Sequence, residues 1–199
     1  MAAPFTAEIA ASAARLVVAE GMEYGAAKRK AARALGQVRP AELPSNEAVE
    51  DEVRAHLTLF CADTQPAELR ALRELALGWM ERLAEFRPHV AGAVWRGTAT
   101  RLSAIQLELY CDDAKSAEIA LINRGISYDS ASRPDGRGGE ATVLIVTVRS
   151  QALNDHVTLH LTVLDHDALR GALKPDAQGR SWRGDADALR RLLAAEEPT

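Results

Sequence analysis

Apolar positions along this chain change their spacing once, and the change divides it into a helical part and a strand-rich part. From Thr6 to Glu20, Ile9, Ala13, Leu16 and Val17 recur at helical intervals, which predicts an amphipathic helix. A second helix is expected from Glu23 to Leu35, ended by Gly36 in the left-handed conformation. Gln37 to Pro44 holds two prolines and reads as a connector. Ser45 is placed to cap a third helix whose apolar side is Val49, Val53, Leu57 and Phe60. Pro66 fits the first turn of a fourth, where its missing N–H costs nothing. Leu69, Leu72, Ala76, Trp79, Leu83 and Phe86 then form a seam suited to packing against another helix.

After Pro88 the period falls to two. Val90 to Trp95 is an apolar run, read as a strand ending at Gly97. Ile105, Leu107 and Leu109 alternate with Gln106, Glu108 and Tyr110, the pattern of a strand with one buried face. A helix from Ala114 to Asn123, stopped by Gly125, and a short strand from Ile126 to Ser130 follow. The glycine-rich tip Arg133 to Gly139 leads into Thr142 to Arg149, which is apolar on both faces and therefore interior to a sheet. Val157, Leu159, Leu161 and Val163 define the last expected strand, with His156, Thr158, His160 and Thr162 on its other face. Asp165 or Asp167 is placed to cap a short helix through Leu173. A polar loop, Lys174 to Gly184, precedes a final helix through Ala195. The fold class expected is α+β: a helical bundle over residues 1–88, then a mixed β-sheet with flanking helices over 89–199.

Composition narrows the function classes. With 47% hydrophobic and 26% charged residues the chain can bury a core. A net charge of -4 does not indicate a nucleic-acid partner. Cys61 and Cys111 lie far apart with no C-x-x-C pattern, so neither a disulfide framework nor a zinc site is expected. No basic segment followed by an apolar run opens the sequence, and no stretch is long enough to span a membrane, which makes the cytoplasm the expected compartment. The G-x-x-x-x-G-K-[ST], G-x-G-x-x-G and G-x-S-x-G patterns are all missing.

Val94-Trp95-Arg96-Gly97-Thr98, followed by Ser103-Ala104-Ile105-Gln106-Leu107, resembles the opening motif of the polymerase β-like nucleotidyltransferase superfamily. The resemblance covers about residues 90–165 and implies a nucleotidyltransferase-like sheet. In that family an apolar strand ends in Gly-Ser, and a following strand reads Ser-Asp-h-Asp-h, h being apolar. Two acids so spaced project from one strand face and hold divalent ions against a nucleoside triphosphate. Here those positions are Ala104 and Gln106; a shift of two residues gives Gln106 and Glu108 and keeps one carboxylate.

The resemblance thus implies a degenerate member, a nucleotide- or partner-binding module lacking metal-dependent transfer. Its ligand-binding candidates are Arg96, Gly97, Thr98, Gln106 and His160, with no metal site. The enzymatic alternative is a nucleotidyltransferase with Glu108 as catalytic residue and Mg²⁺ as cofactor; otherwise the cofactor is unknown. A third alternative is an interaction protein that self-associates through the Leu69–Phe86 seam.

Other groups have simpler readings. His156 and His160 on one strand are about 13 Å apart, too far to share an ion. Asp112, Asp113, Asp165 and Asp167 are placed to cap helices. Arg133, Arg137, Arg180 and Arg183, with Trp182, lie in glycine-bearing loops, where they could grip phosphates or stack on a base but read more simply as solvated loop residues. Lys28 to Arg33 could touch nucleic acid but reads more simply as a wet helix face.

Overall fold

The computed structural model describes residues 4–36, 43–135, 138–170, 175 and 179–196. The chain is α+β and divides into two compact units. One comprises Met1–Glu68 with Thr98–Ser103; the other comprises Leu69–Gly97 with Ala104–Thr199.

The first unit holds α1 (Pro4–Glu20), α2 (Tyr24–Ala34) and α3 (Asn46–Phe60), together with the start of α4 (Gln65–Arg82). Its core is built from small residues, Ala10, Ala13, Ala14, Ala27 and Ala31, interleaved with Ile9, Val17, Val49, Val53 and Leu57. Alanine-lined faces let helices approach closely. Ser45 Oγ accepts the Ala48 N–H at 3.1 Å, the expected cap of α3. Gly21, at φ +67°, is required twice over: it turns the chain between α1 and α2, and a Cβ there would strike the Leu102 carbonyl. Phe60 departs from expectation, being 73% exposed beside His56, because the apolar stripe of α3 ends at Leu57 and Cys61 packs in its place. Of the expected connector, residues 37–42 lie outside the described set.

The second unit is a six-stranded mixed sheet in the order β3-β4-β5-β2-β1-β6. Its strands are β1 (His89–Ala91), β2 (Ile105–Tyr110), β3 (Asp129–Pro134), β4 (Glu140–Ser150), β5 (Asp155–Leu164) and β6 (Arg183–Gly184). Among the described strands only β2 and β5 run parallel. One sheet face pairs Ile105 with Leu159, Leu107 with Leu161, and Leu109 with Val163, all buried. Fully burying each such side chain contributes on the order of 2 kcal/mol. All six residues of the Leu69–Phe86 seam are buried within the chain itself.

Helices α5 (Gly92–Arg96), α6 (Ala114–Asn123) and α7 (Ala186–Ala195) complete this unit. Asp113 and Asp185 cap α6 and α7, and Asp165 caps the short 3-10 turn His166–Leu169. The rest of the helix expected through Leu173 lies outside the described residues. No helix among the described residues is long and apolar enough to cross a membrane.

Three strand boundaries differ from expectation. The run Val90–Trp95 is extended only to Ala91; Gly92, at φ +65°, turns the chain into the single helical turn of α5. The expected strand Ile126–Ser130 is displaced to Asp129–Pro134 because Ile126 is used otherwise. Its N–H donates to Leu121 O while that of Gly125 donates to Ile122 O, the paired bonds that close α6. A further strand, β6, follows β5 and lies against β1 at the sheet edge.

Candidate functional site

Glu108 lies on the second face of β2, which was expected to be solvated. That face is buried over half its length: Glu108 is 7% exposed and Tyr110 2%. β2 is an interior strand flanked by β1 and β5, so its outward-alternating side chains are enclosed as well. The register lines up two transverse rows on this face. One runs Arg183, Ala91, Gln106, His160, Ile145; the next runs His89, Glu108, Thr162, Val143.

The Glu108 carboxylate is already engaged. Its Oε2 accepts the Tyr110 hydroxyl at 2.6 Å and Arg183 Nη1 at 2.6 Å, while the same Nη1 also donates to Tyr110 Oη at 3.2 Å. His89 meets the Tyr110 ring edge-on at 5.4 Å. Charge-assisted bonds of this length are the strong kind. Burial pushes the Tyr110 phenol up to about 12, with the hydrogen bond and negative charge of Glu108 adding to the rise and Arg183 opposing it. Because the folded value exceeds the unfolded value near 10, the stability it contributes is complete below pH 10 and is lost as pH rises toward 12. An ultraviolet titration should therefore show a phenolate step near pH 12 that Tyr110→Phe lacks; retention of that step in the variant would assign it elsewhere.

In the adjoining row Gln106 Nε2 lies 3.0 Å from His160 Nδ1, both half-buried. Gly92 rests on Gln106, where a Cβ would come within 3.1 Å of the Gln106 side chain. From there α5 delivers its last two side chains onto the segment ahead of β6. Trp95 Nε1 donates to Ser181 O at 2.9 Å, and its ring covers Gly184. Arg96 stacks on Trp182 at 4.3 Å and donates to Ser181 O at 3.4 Å. The buried Arg73 guanidinium fixes α5 from beneath, donating to Val94 O and Trp95 O, and also pairs with Glu196. A cation at the carbonyl end of a helical turn satisfies groups that have no partner within the turn.

The structure therefore brings Gln106, His160 and Glu108 together and sets Arg96 in the α5 cluster. Gly97, at φ +82°, is the residue that ends α5. Thr98 belongs to the first unit, buried, with its hydroxyl 3.4 Å from that of Tyr24. Four important residues were not distinguished by the sequence reading: Arg183 passed for a solvated loop residue, Trp95 entered only within the Val94–Thr98 motif and without a role, and Tyr110 and Arg73 carried no motif. The one available signal was the Trp182-Arg183-Gly184 triplet, a bulky, a charged and a bare residue in a loop otherwise polar.

At the carboxyl ends of the parallel strands β2 and β5 there is a cavity of about 230 Å³, lined by Cys111, Asp112, Asp135, Glu140, Thr142 and Asp165 among others. Burial raises the Cys111 thiol above its ordinary range, with Asp113, Asp112 and Asp165 adding to the effect. Among the described residues no three His, Cys, Asp or Glu side chains converge closely enough to hold one metal ion. On α2, Arg29, Lys30 and Arg33 are exposed, as a wet helix face requires, and Lys30 pairs with Glu20; Lys28 is instead half-buried, its Nζ donating to Pro44 O and Asn46 Oδ1. No family model, curated protein or solved structure matches this chain.

Proposed function

We propose that the protein is a ligand-binding module with a nucleotidyltransferase-like sheet, that it has lost metal-dependent transfer, and that its ligand is a nucleotide. The observation that carries this reading is the engagement of Glu108 by Arg183 and Tyr110. A carboxylate serving a divalent ion must offer its oxygens to the metal. Glu108 instead gives Oε2 to two protein donors, and its neighbour at the companion position is the neutral amide Gln106. Transfer would require those bonds to be broken and a second acid to be found.

The half-exposed groups beside it suit a nucleotide. Gln106 and His160 can read a base or sugar edge, and the Trp182 indole, half-exposed beside the Arg96 guanidinium that stacks on it, offers aromatic surface to a base. A cytoplasmic setting belongs to the same reading, in keeping with two cysteines that form no disulfide.

Calorimetric titration with the four common ribonucleoside triphosphates, in Mg²⁺ and in EDTA, tests the proposal. Binding is expected in both media, weakened about tenfold or more by Trp182→Ala, with no incorporation of labelled nucleotide. Mg²⁺-dependent incorporation abolished by Glu108→Ala would make the protein a transferase. Failure of every nucleotide to bind would remove the ligand from the proposal.

A further inference from the structure

The Leu69–Phe86 seam is consumed inside the chain, yet among the described residues one long edge of the sheet has no partner strand. β3 pairs with β4 on one side only, and all six of its residues are exposed. An unpaired strand edge is a template for another strand unless the sequence blunts it. The opposite edge, β6, is only two residues long and lies under Trp95.

The hydrogen-bonding direction along β3 follows from one bond. Asp135 N–H donates to Gly139 O at 3.0 Å, so residue 135 faces β4. In an antiparallel ladder the direction alternates. Arg133, Ala131 and Asp129 therefore bond inward to β4, and Ser132 and Ser130 turn their N–H and C=O groups outward. Pro134 also falls on the outward side, where its missing N–H costs the β3–β4 ladder nothing.

The sequence along this edge, Asp129-Ser130-Ala131-Ser132-Arg133, is complementary to itself when reversed. Antiparallel pairing about a two-fold axis at Ala131 sets Asp129 of each copy opposite Arg133 of the other. It also sets Ser130 opposite Ser132, where the outward backbone groups exchange hydrogen bonds. Asp129 and Arg133 would then occupy non-hydrogen-bonded positions, where facing side chains approach most closely and opposite charges attract. Among the described residues neither Asp129 nor Arg133, both exposed, has an ion-pair partner within the chain. The small side chains between them leave no bulk to obstruct the approach.

We propose that β3 is the self-association surface of this protein, and that two copies join edge to edge through Asp129–Arg133 to make one continuous sheet. The interface is isologous, so the assembly closes at two. Its contact area is small against that of a permanent dimer, and dissociation is expected on the order of tens of micromolar.

Sedimentation velocity on the full chain from about 1 to about 500 µM brackets that range. Wild type should pass from monomer to dimer. Asp129→Arg and Arg133→Asp each place like charges opposite one another twice, and each should weaken association by about tenfold or more. Mixing the two variants should restore the dimer, because the heterodimer again opposes unlike charges at both positions. The double exchange Asp129→Arg/Arg133→Asp should also self-associate as wild type does. Both sites are exposed, and matching circular dichroism melts will confirm that each variant is folded. A wild type that stays monomeric throughout, a dimer indifferent to either single variant, or single variants that do not recombine on mixing would each overturn the proposal.

Discussion

Replacing Gly184 by alanine should destabilise the second unit by about 3 kcal/mol, the upper range for forcing atoms into a filled space. A Cβ at this position would sit within the van der Waals envelope of the Trp95 ring. The ring cannot simply withdraw, because its Nε1–H is held by Ser181 O at 2.9 Å and Ser181 Oγ at 3.2 Å. Nor can the backbone, which pairs Gly184 with Val90 at the sheet edge. Trp79, Trp95 and Trp182, the only tryptophans of the chain, all belong to the second unit, so fluorescence during urea unfolding reports on that unit. In a Trp95→Leu background, Gly184→Ala should cost less than about 1 kcal/mol, since the obstructing ring is gone. Equal costs in the two backgrounds would show that the ring contact is not the cause.

The second large effect concerns Arg183. Its truncation to alanine should cost about 3 kcal/mol, because it strands the Glu108 carboxylate in a row of buried residues. Arg183 keeps 23% of its side chain in solvent, which holds the expected cost at the lower end for a buried pair. Glu108→Gln, which keeps an acceptor for Tyr110, should cost about 1 kcal/mol. Replacing both partners by leucine should bring stability back to within about 1 kcal/mol of wild type, since no buried charge then lacks a partner. Urea titrations of the four proteins decide the matter. An Arg183→Ala variant within about 0.5 kcal/mol of wild type would mean that water already screens Glu108. The same measurement bears on the proposed function, because a Glu108 that is easily uncovered could also be recruited by a metal.

Local sequence determined most of the helices and the interior strands. Ser45 as a cap, Gly125 as a stop and the alternation through β2, β4 and β5 each act over a few residues, so their outcome is legible without knowing what lies opposite. The six positions of the Leu69–Phe86 seam were legible as buried for the same reason. The two sides of β2 were not. Alternation marks Ile105, Leu107 and Leu109 as apolar, but the burial of Glu108 and Tyr110 depends on the flanking strands β1 and β5 and on an arginine of β6, 75 residues beyond Glu108. The candidate site was legible only in part: Gln106 and His160 do meet, from strands whose pairing no local pattern specifies. Periodicity reports which side chains avoid water. Which partner neutralises a buried charge, and which strand edge is left open, is settled only when segments remote in sequence are placed side by side.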